Sequence, residues 1–230
     1  MVDEREFDYI PVILIFLFPA LGGLLFGYDI GSTSVVIVQL QDQNKADVSW
    51  SNQIDDSSTL QGFITSTVVI GALVGSLVMF QIADTIGRRR GLMTASILYF
   101  IGSITEYYSG NGSSNGLYIL ILGRFIYGIA CGFAMHGAPA YIGEMAPSAI
   151  RGILISLKEA FVVLGMVLGY GIGGSYEDTV GGWRQTYLAS APFAFVMFFG
   201  MWYLPFSCRW LALNGRVHEA YESLKYVNPR

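Results

Sequence analysis

The hydrophobic and polar residues of the chain form long alternating blocks, without the short period of a soluble helix or strand. A helix needs roughly 20 mostly apolar residues to cross the hydrocarbon core of a bilayer. Apolar blocks of about that length cover residues 10–38, 60–83, 92–108, 117–144, 154–174 and 183–204. The pattern predicts an all-α membrane protein, with a six-transmembrane-helix bundle in residues 1–204 and a polar segment in residues 205–230.

The composition agrees with a lipid bilayer as the solvent of this bundle. Of the 230 residues, 53% are hydrophobic and 13% are charged, whereas an ordinary soluble domain carries about a quarter charged residues. The net charge is -4, and the basic residues form short clusters between apolar blocks. A nucleic acid requires a continuous basic surface, so we expect no nucleic-acid partner.

The basic residues of the connectors lie almost entirely on one side of the predicted bundle. Positively charged loops are retained in the cytoplasm. The chain ends and one set of alternate connectors hold Arg5, Arg88, Arg89, Arg90, Arg151, Arg209, Arg216, Lys225 and Arg230, and the opposite set holds Lys45. Both termini are therefore predicted to be cytoplasmic. The pattern does not distinguish a vacuolar, plastid or plasma membrane.

The opposite side of the membrane also holds a possible modification site. Asn111 begins an Asn-Gly-Ser glycosylation sequon in the connector of residues 109–116. This connector is short, so we expect Asn111 to be unmodified.

Small residues recur at the helical spacing that allows close packing in lipid. Gly71 and Gly75 form one pair four residues apart, and Gly165 and Gly169 form another. Tight contact between helices is the simplest interpretation of these pairs.

Ionisable residues inside a bilayer are costly and are usually paired, hydrated or functional. Asp29 and Arg124 lie at matching depths in the outer halves of the first and fourth predicted helices. A carboxylate facing a guanidinium could act as a proton switch, because protonation would release the arginine. It could equally be a static ion pair that joins the two helices.

Four further charged residues occur at or near predicted helices. Glu159 is interpreted as an acid of a central cavity, and its neighbour Lys158 is expected to extend towards the cytoplasmic surface. Glu106 and Arg184 lie near outer helix ends, where we expect them to be solvated, and we give them little functional weight. The chain shows no metal-ligand cluster, no nucleophile and base at catalytic spacing and no phosphate-binding loop. We therefore expect no metal, no cofactor and no enzymatic activity.

Five stretches resemble the sugar porter family of the major facilitator superfamily, in its order along the chain. They are residues 22–31 (GGLLFGYDIG), 84–90 (DTIGRRR), 123–128 (GRFIYG), 141–152 (YIGEMAPSAIRG) and 204–211 (LPFSCRWL). The run from Arg151 to Gly173 is most similar to the plant-type branch of vacuolar glucose transporters and plastid xylose-proton symporter-like proteins. The resemblance implies transport of a hexose or pentose with a proton.

The resemblance also implies roles for individual residues. Asp29 would be the acid that binds the coupling proton, and Arg124 the arginine that answers it, which favours the switch over the static pair. Arg88, Arg89, Glu144 and Arg151 would form a cytoplasmic gate network. Glu159 stands where the family has a sugar-contacting glutamine, so that a carboxyl would contact the substrate.

Two departures from the family concern the cytoplasmic exit motif and the length. Phe206 stands in place of an acid, which removes one charge from the gate network. Family members have twelve helices in two bundles, and this chain corresponds to the amino-terminal one, without the carboxyl-terminal six-helix half. It could be a fragment of a sugar-proton symporter, a non-transporting half that regulates a full-length porter, or a homodimeric half-transporter. The end at Arg230, within what resembles a cytoplasmic helical linker, favours the fragment.

Overall fold

The computed structural model describes residues 9–110 and 115–226, so Arg5, Asn111 and Arg230 lie outside the described residues. Within these ranges the regular structure is entirely helical. The helices are α1 (Tyr9–Gln41), α2 (Gln43–Ala46), α3 (Ser51–Asp55), α4 (Ser58–Ile86), α5 (Arg88–Tyr108), α6 (Gly116–Met145), α7 (Arg151–Ser175), α8 (Gly182–Leu188), α9 (Ala191–Tyr203), α10 (Cys208–Leu213) and α11 (Val217–Lys225). The predicted all-α class is confirmed.

Six crossings follow from these helices: α1, α4, α5, α6, α7, and α8 together with α9. Four of the described helices are each long and apolar enough to span a membrane: α1, α4, α6 and α7. The third crossing, α5, opens with three arginines and contains Glu106, and the sixth is divided between two shorter helices. Outside the bundle, α2 and α3 lie between α1 and α4, in a segment for which the apolar pattern predicts only a connector.

The third crossing begins four residues before its predicted start at residue 92. Gly87 alone separates α4 from α5, and its φ of 88° lies in the left-handed region. Glycine adopts this conformation without steric cost, so the chain reverses direction at one residue. The three arginines between the second and third apolar blocks are therefore part of α5, with Arg88 at its first position.

The sixth crossing was predicted as one helix over residues 183–204 and is broken in the structure. Helix α8 ends at Leu188, and α9 begins at Ala191. Pro192 lies in the first turn of α9. Proline lacks a backbone N–H and clashes with a preceding helical turn, but the first turn of a helix tolerates it. Pro192 thus explains the break. The apolar pattern alone does not predict it, because that pattern does not take the position of proline into account.

Glycines set the close contact of α1 with α7. A Cβ atom added to Gly27 would lie 1.9 Å from the Val162 carbonyl oxygen, and one added to Gly165 would lie 2.0 Å from that of Leu24. These distances leave no room for a side chain, so the two backbones touch directly. On α6, glycines make a similar approach to α4. The small residues thus allow close helix–helix packing of α1 with α7 and of α6 with α4.

We expect Gly165→Ala to lower the stability of the bundle. The added methyl group meets backbone atoms that cannot rotate away, and overpacking typically costs about 1–3 kcal/mol. Gly171→Ala on the same helix is the matched control, because no atom lies within 4 Å of the added Cβ. Thermal unfolding of both variants in detergent checks this. A Gly165→Ala variant as stable as Gly171→Ala would contradict the direct backbone contact.

Candidate functional site

A buried ion pair joins α1 to α6 in the outer half of the bundle. Arg124 donates through Nη1 to Asp29 Oδ1 and through Nη2 to Asp29 Oδ2 at 3.3 Å. Its Nη2 also donates to Thr33 Oγ1 at 2.7 Å. Asp29 is 5% exposed and Arg124 is 1% exposed. The structure therefore brings together the two residues whose depths matched in the sequence.

Glu106 joins the same cluster from α5, contrary to the expectation that it would be solvated. Its side chain is 1% exposed, and its Oε1 lies 3.7 Å from Arg124 Nη1. This distance is an ion-pair contact without a hydrogen bond, and Oε1 has no hydrogen-bond partner among the described residues. Glu106 is only two residues from the end of α5. The sequence therefore predicts a solvated Glu106, because proximity to a helix end normally implies contact with water.

Aromatic residues cover the ion cluster on the outer side. The ring of Tyr187 on α8 lies 5.2 Å from the Arg124 guanidinium, within the range of a cation–π contact. Trp183, on the preceding turn, packs edge-on to Trp50 at 5.8 Å and donates to the Ala46 carbonyl at 2.9 Å. Helix α8 thus packs against the segment that holds α2 and α3, and its Tyr187 covers the guanidinium of Arg124.

Two ion pairs fasten the outer connectors. Lys45 Nζ lies 3.0 Å from Asp178, and Arg184 Nη2 lies 3.2 Å from Asp47. The hydrogen bond from Lys45 to Asp178 raises the pKa of this lysine above its usual value, so Lys45 is charged at neutral pH. Arg184, expected to be merely solvated, holds the first turn of α8 against Asp47 in the segment that follows α1.

Lys158 and Glu159 form a pair at the inner half of α7. Lys158 Nζ lies 2.7 Å from Glu159 Oε1, and the two side chains are 4% and 63% exposed. The expectation that Lys158 extends to the cytoplasmic surface was wrong, because the glycines of α1 leave space for its stem inside the bundle: it packs beside Gly23 and approaches Met135 Sδ. Glu159 instead faces out of the bundle.

The cytoplasmic gate residues form one direct pair between charged side chains. Arg88 Nε lies 3.1 Å from Glu144 Oε1, and Arg88 Nη1 lies 2.7 Å from Asp84 Oδ1. Ser207, at the start of α10, donates a hydrogen bond to Glu144 Oε2. The contact therefore joins the inner ends of α4, α5 and α6 to the polar carboxyl-terminal segment.

The other two predicted gate residues bind backbone carbonyls instead of Glu144. Arg89 donates to the carbonyls of Met201 and Trp202 at the end of α9, where a cation favours the helix dipole. Arg151 donates to the Ala146 carbonyl at 3.2 Å. Phe206 lies under Arg89, with its ring 4.4 Å from the guanidinium. An aromatic contact thus occupies the position where the family has an acid.

No group of three or more histidine, cysteine or acidic side chains that could hold a metal occurs in residues 9–110 and 115–226. The ionisable clusters of the described chain are the buried one at Arg124, the pair on α7 and the contacts at the two membrane surfaces. This distribution suits a membrane protein that moves a charge or a polar solute.

Comparison with known proteins agrees with this distribution. The model of the family described as sugar (and other) transporter matches residues 15–230. The chain belongs to this family. It is consequently an integral membrane protein, and its helices form a six-helix bundle of the major facilitator fold.

Two relatives from Arabidopsis thaliana are identical to the chain at about half of the aligned positions. D-xylose-proton symporter-like 2 is 50% identical over 91% of this chain and 40% of the relative. D-xylose-proton symporter-like 3, chloroplastic, is 49% identical over 91% of this chain and 36% of the relative. The expected plant-type branch is thereby confirmed. The chain spans well under half the length of these relatives.

A solved structure confirms the fold. The proton:xylose symporter XylE, bound to 6-bromo-6-deoxy-D-glucose, is 28% identical and superposes with a TM-score of 0.83. The match covers 95% of this chain and 50% of that protein. The described helices thus correspond to one half of a major facilitator superfamily transporter.

Proposed function

We propose that this chain is the amino-terminal half of a transporter that carries a monosaccharide, a hexose or a pentose, together with a proton. The observation that carries the proposal is the buried contact between Asp29 and Arg124, in a chain whose relatives are named D-xylose-proton symporter-like proteins. An acid kept from water beside a single guanidinium is suited to bind and release a proton as the site opens.

In this proposal Asp29 carries the coupling proton and Arg124 responds to it. The ionised carboxylate holds the guanidinium, and its bonds fix α1 to α6. Protonation of Asp29 removes the charge that the guanidinium faces. The contact to Thr33 remains, so Arg124 keeps one hydrogen bond while its attraction to Asp29 falls. The protonation state of one residue thereby biases the relative positions of two helices.

Glu159 is proposed to contact the sugar. It lies on the exposed face of α7 with Val163 and Tyr170, and Tyr170 Oη lies 3.5 Å from Ser34 Oγ of α1. This face is apolar with a few convergent polar groups, which is the usual character of a small-molecule site. The adjacent Lys158 balances the charge of Glu159, so the carboxylate can accept hydrogen bonds from sugar hydroxyls.

The contact of Arg88 with Glu144 is proposed to close the cytoplasmic side. Both side chains are largely buried, so their attraction is screened less than that of an exposed pair. Ser207 and the aromatic contact of Arg89 with Phe206 add the start of the cytoplasmic segment to the same closure. A network of this kind could bias one conformation by a few kcal/mol.

A second six-helix bundle is proposed to complete the pathway. Leu73 and Leu77 on α4 and Val163 and Val167 on α7 are exposed, which leaves apolar surface for lipid or for such a bundle. For experiments, we define the complete transporter as this chain continued by the carboxyl-terminal half of D-xylose-proton symporter-like 2.

Uptake measurements test the function. In proteoliposomes, the complete transporter should accumulate at least one of a panel of labelled hexoses and pentoses against its gradient, driven by an acid-outside pH difference. A proton ionophore should abolish the accumulation. Uptake of no sugar in the panel would contradict the proposal. Equal uptake by this chain alone would favour the homodimeric half-transporter.

We expect Glu159→Ala to weaken sugar binding in the complete transporter. A hydrogen bond to a charged group contributes roughly 1.5–3 kcal/mol, so the half-saturation concentration should rise about tenfold or more. The maximal rate and the pH dependence should stay close to those of the parent. Glu177→Ala, the same change at an exposed acid of the α7–α8 connector, is the control. An unchanged half-saturation concentration would remove Glu159 from the sugar site.

The charge asymmetry predicts that both termini are cytoplasmic, which cysteine labelling can check. Burial raises the pKa of the Cys208 thiol, so this natural cysteine is a slow target. We therefore choose Leu213→Cys and Asn52→Cys, both at exposed positions, in a Cys208→Ser background. An impermeant maleimide added outside cells that carry the protein in the plasma membrane should label only Asn52→Cys. Labelling of Leu213→Cys alone would invert the topology.

A further inference from the structure

Glu106 places a second carboxyl against the guanidinium of Arg124. Its Oε1 is 3.7 Å from Arg124 Nη1, and its side chain is as deeply buried as that of the arginine. Space for it depends on Gly123, because a Cβ there would lie 2.8 Å from Glu106 Cγ. The glycine that precedes Arg124 therefore admits this carboxyl into the cluster.

The charges of the cluster do not balance if both acids are ionised. The ionisable groups that face Glu106 are Arg124, Tyr127 and Cys131 of α6, Asp29 and Tyr28 of α1, and Tyr187 of α8. Arg124 is the cation in this set, so two carboxylates would leave one net negative charge away from water. An uncompensated buried charge typically costs several kcal/mol. One proton held between the two carboxyls makes the cluster neutral.

We propose that Asp29 and Glu106 share the coupling proton, so that Glu106 is a second proton-binding residue of this transporter. When Asp29 is ionised and paired with Arg124, the proton lies on Glu106. When the O–H bond of Glu106 breaks and an O–H bond forms on Asp29, the Glu106 carboxylate replaces Asp29 as the ion-pair partner of Arg124. The net charge is the same in both arrangements, and the guanidinium moves between two partners that it already contacts.

The orphaned oxygen supports this assignment. Glu106 Oε1 has no hydrogen-bond partner among the described residues, whereas both oxygens of Asp29 accept from Arg124. A buried carboxylate oxygen without a donor is unfavourable, and a protonated carboxyl carries a smaller penalty. The geometry therefore corresponds to the arrangement with an ionised Asp29 and a protonated Glu106.

Infrared spectroscopy of this chain in lipid nanodiscs tests the sharing without any transport assay. At neutral pH the parent should show the C=O stretch of one buried protonated carboxyl. Glu106→Gln should abolish it, because Asp29 stays ionised beside Arg124. Asp29→Asn should abolish it too, because Glu106 then ionises to pair with the arginine. Glu177→Gln, at an exposed outer position, should leave it unchanged.

Two results would overturn the sharing. If the band persists in Asp29→Asn, Glu106 holds its proton independently and is a static neutral acid. If it persists in Glu106→Gln, the proton belongs to another group. Circular dichroism of each variant verifies that the helices are intact before its spectrum is compared.

Because this inference rests on the proposed function, a transport measurement on the complete transporter accompanies the spectra. In Glu106→Gln, a coupling proton must neutralise the sole acidic partner of Arg124 and leave a net positive charge. The pH of half-maximal uptake should therefore fall by about one unit, so that the variant needs about a tenfold higher proton concentration than the parent. An unchanged pH profile would overturn the coupling role. If the parent fails to transport while the infrared results hold, the proposed function fails and the shared proton stands.

Discussion

Asp29→Asn is expected to abolish accumulation of sugar against its gradient, while exchange of sugar between two equal pools continues. Net uptake driven by a pH difference requires a group that binds a proton on one side and releases it on the other. Asparagine has the shape of a protonated aspartate and cannot lose a proton. Exchange requires only sugar binding and the movement of the two halves, so it does not depend on a net proton cycle.

Glu106 does not replace Asp29 in this variant. With Asp29 neutral, the Glu106 carboxylate becomes the partner of Arg124. A proton on Glu106 then acts only on the contact of α5 with α6, and the contact of α1 with α6 that the proposed coupling requires no longer responds to pH. Accumulation in the variant should fall to the level set by the sugar gradient alone. Measurement of counterflow and of pH-driven uptake in the same proteoliposomes separates the two activities.

An acid exposed at the outer surface provides the control. Asp55→Asn makes the same chemical change at an exposed position of α3 and should leave both activities unchanged. Full pH-driven accumulation in Asp29→Asn would refute the assignment, and Glu106 would then be the next acid to test, followed by Glu159. Loss of both exchange and accumulation would show that Asp29 is needed for folding or sugar binding, which also contradicts a pure coupling role.

The six crossings and the ion pair of Asp29 with Arg124 could be predicted because both depend on position along straight helices. An apolar block gives the length of a crossing, and residue counts from the helix ends give the depth of a charge. Two charges at equal depth in a small bundle have few partners other than each other. The functional roles of the pair come from the resemblance and stay predictions.

Glu106 and Lys158 were misjudged because burial in a bundle depends on neighbours that a helical count does not reveal. Glu106 is near a helix end, yet its side chain is 1% exposed and contacts Arg124, whose guanidinium also lies beside the ring of Tyr187 on α8. Lys158 could reach the cytoplasmic surface by length alone. Gly23 of α1 leaves space for its stem, and its ammonium group reaches the adjacent Glu159 on the exposed face of α7.

The cytoplasmic contacts show a similar limit of motif reading. The motifs indicate which arginines stand at the first turns of α5 and α7, but they do not specify the acceptor of each guanidinium. Arg89 binds the carbonyls that end α9, and Phe206 fills the adjacent space with an aromatic ring. The loss of the family's acid is thus accompanied by a cation–π contact, which is worth about 0.5–2 kcal/mol.

Arg124→Gln is expected to be the most destabilising single substitution in the buried cluster. It removes the cation that faces Asp29 and Glu106, as well as the hydrogen bond to Thr33. Breaking a buried ion pair by removing one partner typically costs about 3–5 kcal/mol, because the other charge stays buried without compensation. We expect a large fall in the thermal unfolding temperature of this chain in detergent, and a low yield of folded protein.

Neutralising the whole cluster should recover most of this loss. The triple variant Asp29→Asn, Glu106→Gln and Arg124→Gln has no buried charge at this position, so the uncompensated charge that makes the loss of one partner costly is absent. The exposed pair of Arg216 with Glu219 provides the control: Arg216→Gln should change the unfolding temperature little, since exposed pairs contribute about 0–1 kcal/mol. If the triple variant unfolds as readily as Arg124→Gln, the arginine stabilises the bundle through its packing against Tyr187. A recovery would instead show that uncompensated charge is the cause, which is the same imbalance that a shared proton removes.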